Sequence, residues 1–143
     1  MRNSELQGAA QSAMRQVVQL QLVLFMKKDN VVLEKSQAFA ARIIRMDQYL
    51  RLQKKENVLT KQALRSGTSI GANISESIRA QSRADFFSKL NIALKEAQET
   101  QYWLSALRDG DYLTPVQYKS MDDDCEELIR LLVSITKSQN KDE

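Results

Sequence analysis

Apolar side chains recur along this chain at alternating steps of three and four residues, the spacing that holds one face of an α-helix against a core. Four successive windows carry the pattern. The first runs Val32, Ser36, Phe39, Ile43, Met46, Leu50, and the second Leu59, Ala63, Gly67, Ile70, Ile74, Ile78. The third is Phe86, Leu90, Ala93, Ala97, Thr100, Leu104, Leu107, widened by Phe87 and Leu94, and the fourth is Tyr118, Met121, Cys125, Leu128, Leu132, Ile135. Each stripe is several turns long, so the pattern predicts four helices.

The residues between the stripes are those that start and stop helices. Asn30 is a candidate cap for the first helix, and Lys54-Lys55-Glu56-Asn57 turns the chain toward the second near Thr60. Ser82-Arg83-Ala84-Asp85 has capping-box spacing, with Asp in place of the longer Glu or Gln. Asp109-Gly110-Asp111 closes the third helix, Gly110 being suited to the left-handed conformation common just past a C-terminus. Thr114-Pro115-Val116-Gln117 combines a capping box with Pro at the first helical position. Such short connections favour antiparallel neighbours. The predicted fold is therefore all-α, an antiparallel up-down-up-down four-helix bundle over residues 30–138 with a polar tail at 139–143.

Within an N-terminal extension of residues 1–29, residues 1–25 differ in composition, being rich in Gln and Ala with only Arg2, Glu5 and Arg15 charged. Leu6, Ala10, Ala13, Val17, Leu20 and Leu24 also fall at three-four spacing and predict an N-terminal helical extension. On the alternative reading Met26-Lys27-Lys28 is the natural start and everything before it is upstream sequence.

Composition narrows the chemistry. At 143 residues the chain suits one domain. It has no His, which removes the commonest metal ligand and general base together with Ser-His and Cys-His nucleophiles. A single Cys excludes an internal disulfide and fits a reducing, cytoplasmic setting. The apolar stretch from Gln16 to Met26 falls well short of the ~20 residues of a spanning helix, so no membrane partner is expected.

Candidate sites are few. Glu96 and Glu99 with Glu76 or Asp47 could line a carboxylate site, but di-iron bundles need Glu-x-x-His on two helices, so neither metal nor cofactor is expected. Cys125 sits on an apolar stripe among acidic neighbours and reads as a small core residue, not a reactive thiol. The segment Arg65-Ser66-Gly67 through Ser69, Gly71, Asn73 and Glu76 places two Gly inside a helix at a cost of about 1 kcal/mol each. Close approach of a neighbouring helix is the reading that offsets this, since a phosphate-binding P-loop would end in Gly-Lys-Ser or Gly-Lys-Thr. With no catalytic constellation, an enzyme is not expected.

Charge is unevenly distributed. Residues 26–81 hold eleven basic and five acidic side chains, net +6, while residues 82–143 hold eight basic and twelve acidic, net −4. Arg42, Arg45, Arg51, Lys54, Lys55, Lys61 and Arg65 form a candidate phosphate-binding surface, giving affinity without base specificity. Oppositely charged halves also suit association of one copy with the next into a ring. Ile92 and Trp103 lie off the third stripe and are candidate interface residues, because Trp and Tyr are enriched at such surfaces.

Several stretches carry a family resemblance. They are Leu33-Glu34-Lys35-Ser36 with Phe39-Ala40, Leu64-Arg65-Ser66 through Ser69-Ile70-Gly71-Ala72-Asn73-Ile74 with Glu76, Ala93-Leu94-Lys95-Glu96-Ala97 through Tyr102-Trp103-Leu104, and Asp124-Cys125-Glu126-Glu127-Leu128. Residues 30–138 resemble the bacterial four-helix bundles encoded by intervening sequences of 23S ribosomal RNA genes, relatives of the accessory variability determinants of diversity-generating retroelements. The resemblance implies a homo-oligomeric ring, a pentamer, and an RNA or DNA partner such as ribosomal RNA. The retroelement relatives bind nucleic acid and a reverse transcriptase, and are more basic than this chain. A scaffold that binds a protein partner without nucleic acid is the alternative.

Overall fold

The computed structural model describes residues 2–139, and the side chains of all of these except 18, 19 and 21–30. Four α-helices follow one another: α1 (Arg2–Leu52), α2 (Leu59–Ile78), α3 (Arg83–Asp109) and α4 (Pro115–Lys137). The described residues form an all-α bundle in which α1 packs on α2 and α4, and α3 on α2 and α4.

The predicted stripes become the core. Val32, Ser36, Phe39, Ile43, Met46 and Leu50 of α1 are all buried, as are the seven third-stripe residues with Phe87. Leu59, Ile78, Tyr118 and Ile135, at the stripe ends, are only partly buried against this core. Burial of so many Leu, Ile and Phe side chains, at ~1.5–3 kcal/mol each, is the main term opposing chain entropy.

Residues from successive helices meet in reverse chain order. Ser36 and Ile43 of α1 lie against Gly71 and Gly67 of α2. Arg65 of α2 pairs with Glu96 and Glu99 of α3, while Glu76, farther along α2, pairs with Lys89, earlier in α3. Arg42 and Lys35 of α1 pair with Asp124 and Glu127 of α4.

Two helix boundaries differ from the sequence reading. The first helix does not begin at Asn30; α1 is continuous over 51 residues and takes in residues 2–29 of the predicted extension. Between Met26 and Glu34 there is neither Pro nor Gly, and one Asn inside a helix costs only ~0.5 kcal/mol, too little to break it. The side chains of Leu24 and Asn30 lie outside the described residues, as does the polar tail beyond Gln139. The second difference is at the end of α3, where Gly110 has φ −83° and Asp111, with φ 67°, takes the left-handed conformation. Asp tolerates that region because its short side chain can bond locally.

The remaining caps follow the sequence. Ser82 Oγ accepts from the Asp85 N–H at 3.0 Å. At α4 the Thr114 hydroxyl accepts from Gln117 N–H (3.1 Å) while Gln117 Oε1 accepts from Thr114 N–H (2.9 Å), a complete capping box with Pro115 at its start. No described helix is long and apolar enough to cross a membrane.

Candidate nucleic-acid interface

The basic residues singled out from the sequence lie on the last turns of α1, the connection to α2, and the first turns of α2. That connection is held from inside. The chain leaves α1 through Lys55, with φ 56°, and the Glu56 N–H reaches back to Leu50 O at 3.0 Å. The Glu56 carboxylate is buried and turns onto the start of α2. Its Oε1 accepts from Val58 N–H (3.0 Å) and Leu59 N–H (2.9 Å), and its Oε2 from Thr60 N–H (2.7 Å). Val58, at the capping position, offers no side-chain bond of its own, so Glu56 satisfies the free amides that a helix start leaves and sets a negative charge at its positive end. Below it, buried Asp47 accepts from the Thr60 hydroxyl (3.0 Å) and from Arg51 Nε (2.9 Å). The sequence reading missed this role of Glu56, whose signal was an acidic residue three positions before Leu59 with no Ser, Thr, Asp or Asn at Val58.

This scaffold sorts the seven candidates into two groups. Arg51 is held by Asp47. Arg42 donates to Asp124 Oδ2 (2.5 Å), Ser120 O (3.0 Å) and Ser120 Oγ (2.7 Å), which fixes it against α4. Arg65 bridges Glu96 and Glu99; burial works against its charge, but the Glu96 hydrogen bond and the attraction of both carboxylates outweigh it and its pKa is raised. Arg45, Lys54, Lys55 and Lys61 are exposed and have no ion pair among the described residues.

The charge halves read from the sequence therefore meet inside one chain. Lys35–Glu127 and Arg42–Asp124 join α1 to α4, and Arg65–Glu96, Arg65–Glu99 and Lys89–Glu76 join α2 to α3. These pairs leave less charge for a neighbouring copy than the sequence halves suggest.

The close-packing segment faces α1. Gly67 sits against Ile43, and Gly71 against Ser36, whose hydroxyl donates to Leu33 O at 2.7 Å. On the other side of α2, Ser66 Oγ and Thr100 Oγ1 meet at 2.9 Å in the core. Ser69 Oγ and Asn73 Nδ2 donate back to the carbonyls of Arg65 and Ser69 within α2. Glu76 is exposed and pairs with Lys89.

Cys125 is fully buried with its Sγ 3.2 Å from Ala97 O, and burial, helped by Asp122, Glu126 and Asp124, pushes its thiol up to about 12. Ile92 is exposed, whereas Trp103 lies partly buried against the core, its Nε1 enclosed without a hydrogen-bond partner. Tyr102, exposed, stands edge-to-face on Trp103 with ring centroids 5.0 Å apart. The described residues hold no group of three or more His, Cys, Asp or Glu placed to bind a metal.

Residues 28–134 match the family model described as 23S rRNA-intervening sequence protein. A crystal structure of a protein of unknown function from the S23 ribosomal protein family of Bacteroides thetaiotaomicron is 57% identical, with a TM-score of 0.76, and the match covers 77% of this chain and 98% of that one. No curated protein matches the chain.

Proposed function

Because the chain belongs to the 23S rRNA-intervening sequence protein family, we propose that it is a non-enzymatic, cytoplasmic up-down-up-down bundle that contacts structured RNA, ribosomal RNA first among candidates, through the end of the bundle bearing Arg45, Lys54, Lys55 and Lys61. The observation that carries this is the sorting of charge. Lys35, Arg42, Arg51 and Arg65 are paired with carboxylates of the same chain, while these four stand in solvent. Unpaired Lys and Arg neutralise phosphates and release their counterions, a source of affinity without base specificity. The family supports a homo-oligomeric ring, a pentamer, which would repeat this basic end around an axis and multiply weak contacts.

The test is a salt titration of binding to purified ribosomal RNA with mass measured by light scattering on the same sample. A ring-sized species whose affinity falls steeply with salt, and a loss of binding on Lys54→Glu, Lys55→Glu and Lys61→Glu at unchanged helicity, is the expected result. Absence of binding at low salt overturns the reading. It would favour a protein scaffold, supported by exposed Ile92 and by exposed Tyr102 against Trp103, whose indole N–H has no partner. A partner retained after nuclease treatment and lost on Ile92→Asp would then identify that surface.

A further inference from the structure

Between α1 and α4, next to the basic end, lies an open groove of about 410 Å³ lined by Arg42, Arg45, Met46, Tyr49, Leu113, Val116, Gln117, Ser120 and Met121. Its volume lies within the roughly 300–1,000 Å³ of small-ligand sites, and its lining is mainly apolar. Met46, Leu113, Val116 and Met121 supply the walls.

The polar groups divide by what they already do. Arg42 is committed to Asp124 and to the carbonyl and hydroxyl of Ser120. Gln117 uses Oε1 in the α4 capping box, which leaves its amide N–H groups uncommitted. The Tyr49 hydroxyl has no hydrogen bond and Arg45 no ion pair among the described residues. Three residues with free hydrogen-bonding capacity thus line a mainly apolar groove whose cationic member, Arg45, is exposed like Lys54, Lys55 and Lys61.

We infer that this groove takes an unpaired nucleobase from a looped RNA strand whose phosphates lie on Arg45, Lys54, Lys55 and Lys61. The inference rests on the RNA-binding reading above and names its substrate class. A base is flat and apolar on its faces, carries hydrogen-bonding groups on its edge, and is attached to a phosphate. That set matches Met and Val walls, the Tyr49 hydroxyl and Gln117 amide, and the Arg45 guanidinium in turn. Bases paired in an A-form duplex cannot enter such a slot, whereas those of loops and bulges can be splayed out and held.

The experiment measures, by fluorescence anisotropy at one salt concentration, the Kd of a hairpin with an eight-nucleotide unpaired loop and of a blunt duplex with as many phosphates. The intact chain should bind the hairpin at least ten-fold tighter. Val116 is 80% exposed in the first turn of α4, where an acidic side chain suits the helix dipole, so Val116→Glu blocks the groove mouth without unfolding the bundle. It should bring hairpin affinity down to the duplex level. Tyr49→Phe, which keeps the ring and removes only the hydroxyl, should weaken the hairpin about three-fold and leave the duplex unchanged. Equal affinity for the two RNAs, or equal losses on both in Val116→Glu, overturns the groove assignment while leaving the basic-surface reading in place. Failure to bind either RNA overturns that reading itself.

Discussion

Gly67 and Ile43 occupy a single contact between α2 and α1: a β-carbon on Gly67 would stand 2.8 Å from Ile43 Cγ1 and 3.0 Å from its Cγ2. Those atoms sit at the branch of a fully buried, stiff side chain, so they cannot swing away as the tip of a Lys would. Gly67→Ala gains about 1 kcal/mol of helix propensity and meets an overpacking penalty of about 1–3 kcal/mol. The second term wins. Urea unfolding should show a net loss of stability, and adding Ile43→Val should recover part of it. If Gly67→Ala is more stable than the parent, the helices are not held at this distance.

The Asp47–Thr60 bond ties the last turns of α1 to the first turn of α2 beneath the basic connection. Asp47→Ala would leave the Thr60 hydroxyl buried without its acceptor, at a cost of about 1–3 kcal/mol. Asp47→Asn keeps an acceptor and should cost less. The difference between the two is measured by thermal unfolding. Glu56→Ala removes the carboxylate that receives three amides and should cost about 0.5–2 kcal/mol, the range for a lost N-cap.

How far these relationships were legible beforehand depends on their reach along the chain. The stripe from Val32 to Leu50 and the Thr114–Gln117 capping box were readable because period and caps act over a few residues. Glu56 was read only as part of a turn, since its cap comes from two residues before Val58 instead of from Val58 itself. The continuity of α1 through Asn30 escaped because a residue that caps well is also tolerated inside a helix. The sorting of the basic candidates was not legible, because the partners that neutralise Arg42 and Arg65 lie 82 and about 30 positions away.

Cys125 carries a pH consequence. Its thiol is raised from 9.0 to about 12 by burial, so above pH 9 the unfolded chain loses this proton before the folded one does. The contribution is fully present below pH 9 and is lost as pH rises toward 12. Cys125→Ala should therefore show a shallower fall in stability between pH 9 and 11 than the parent. A thiol-specific reagent at pH 8 should label the parent only at the rate at which it unfolds.

If the basic end binds phosphates, its members should be separable from the paired arginines by salt dependence. Each of Lys54→Ala, Lys55→Ala and Lys61→Ala should flatten the slope of log affinity against log salt by roughly 0.7–1, the value of one phosphate contact. Arg65→Ala, whose guanidinium is engaged by Glu96 and Glu99, should leave the slope unchanged. Equal flattening in all four variants would show that RNA competes successfully with the intramolecular carboxylates.

The first half of α1 makes a contrasting prediction. Leu6, Met14, Val17 and Leu20 are 52–69% exposed, so within one chain they bury little and add little to its stability. Deleting residues 2–20 should shift the bundle's unfolding midpoint by less than about 2 °C, since ~1 kcal/mol moves a domain of this size by several degrees. Binding of a dye that reports exposed apolar surface should fall in the same variant, because single exposed apolar residues are ordinary but a row of them on one helix is not. A midpoint lowered by about 5 °C or more, with the mass in solution unchanged, would mean that the arm folds back onto its own bundle.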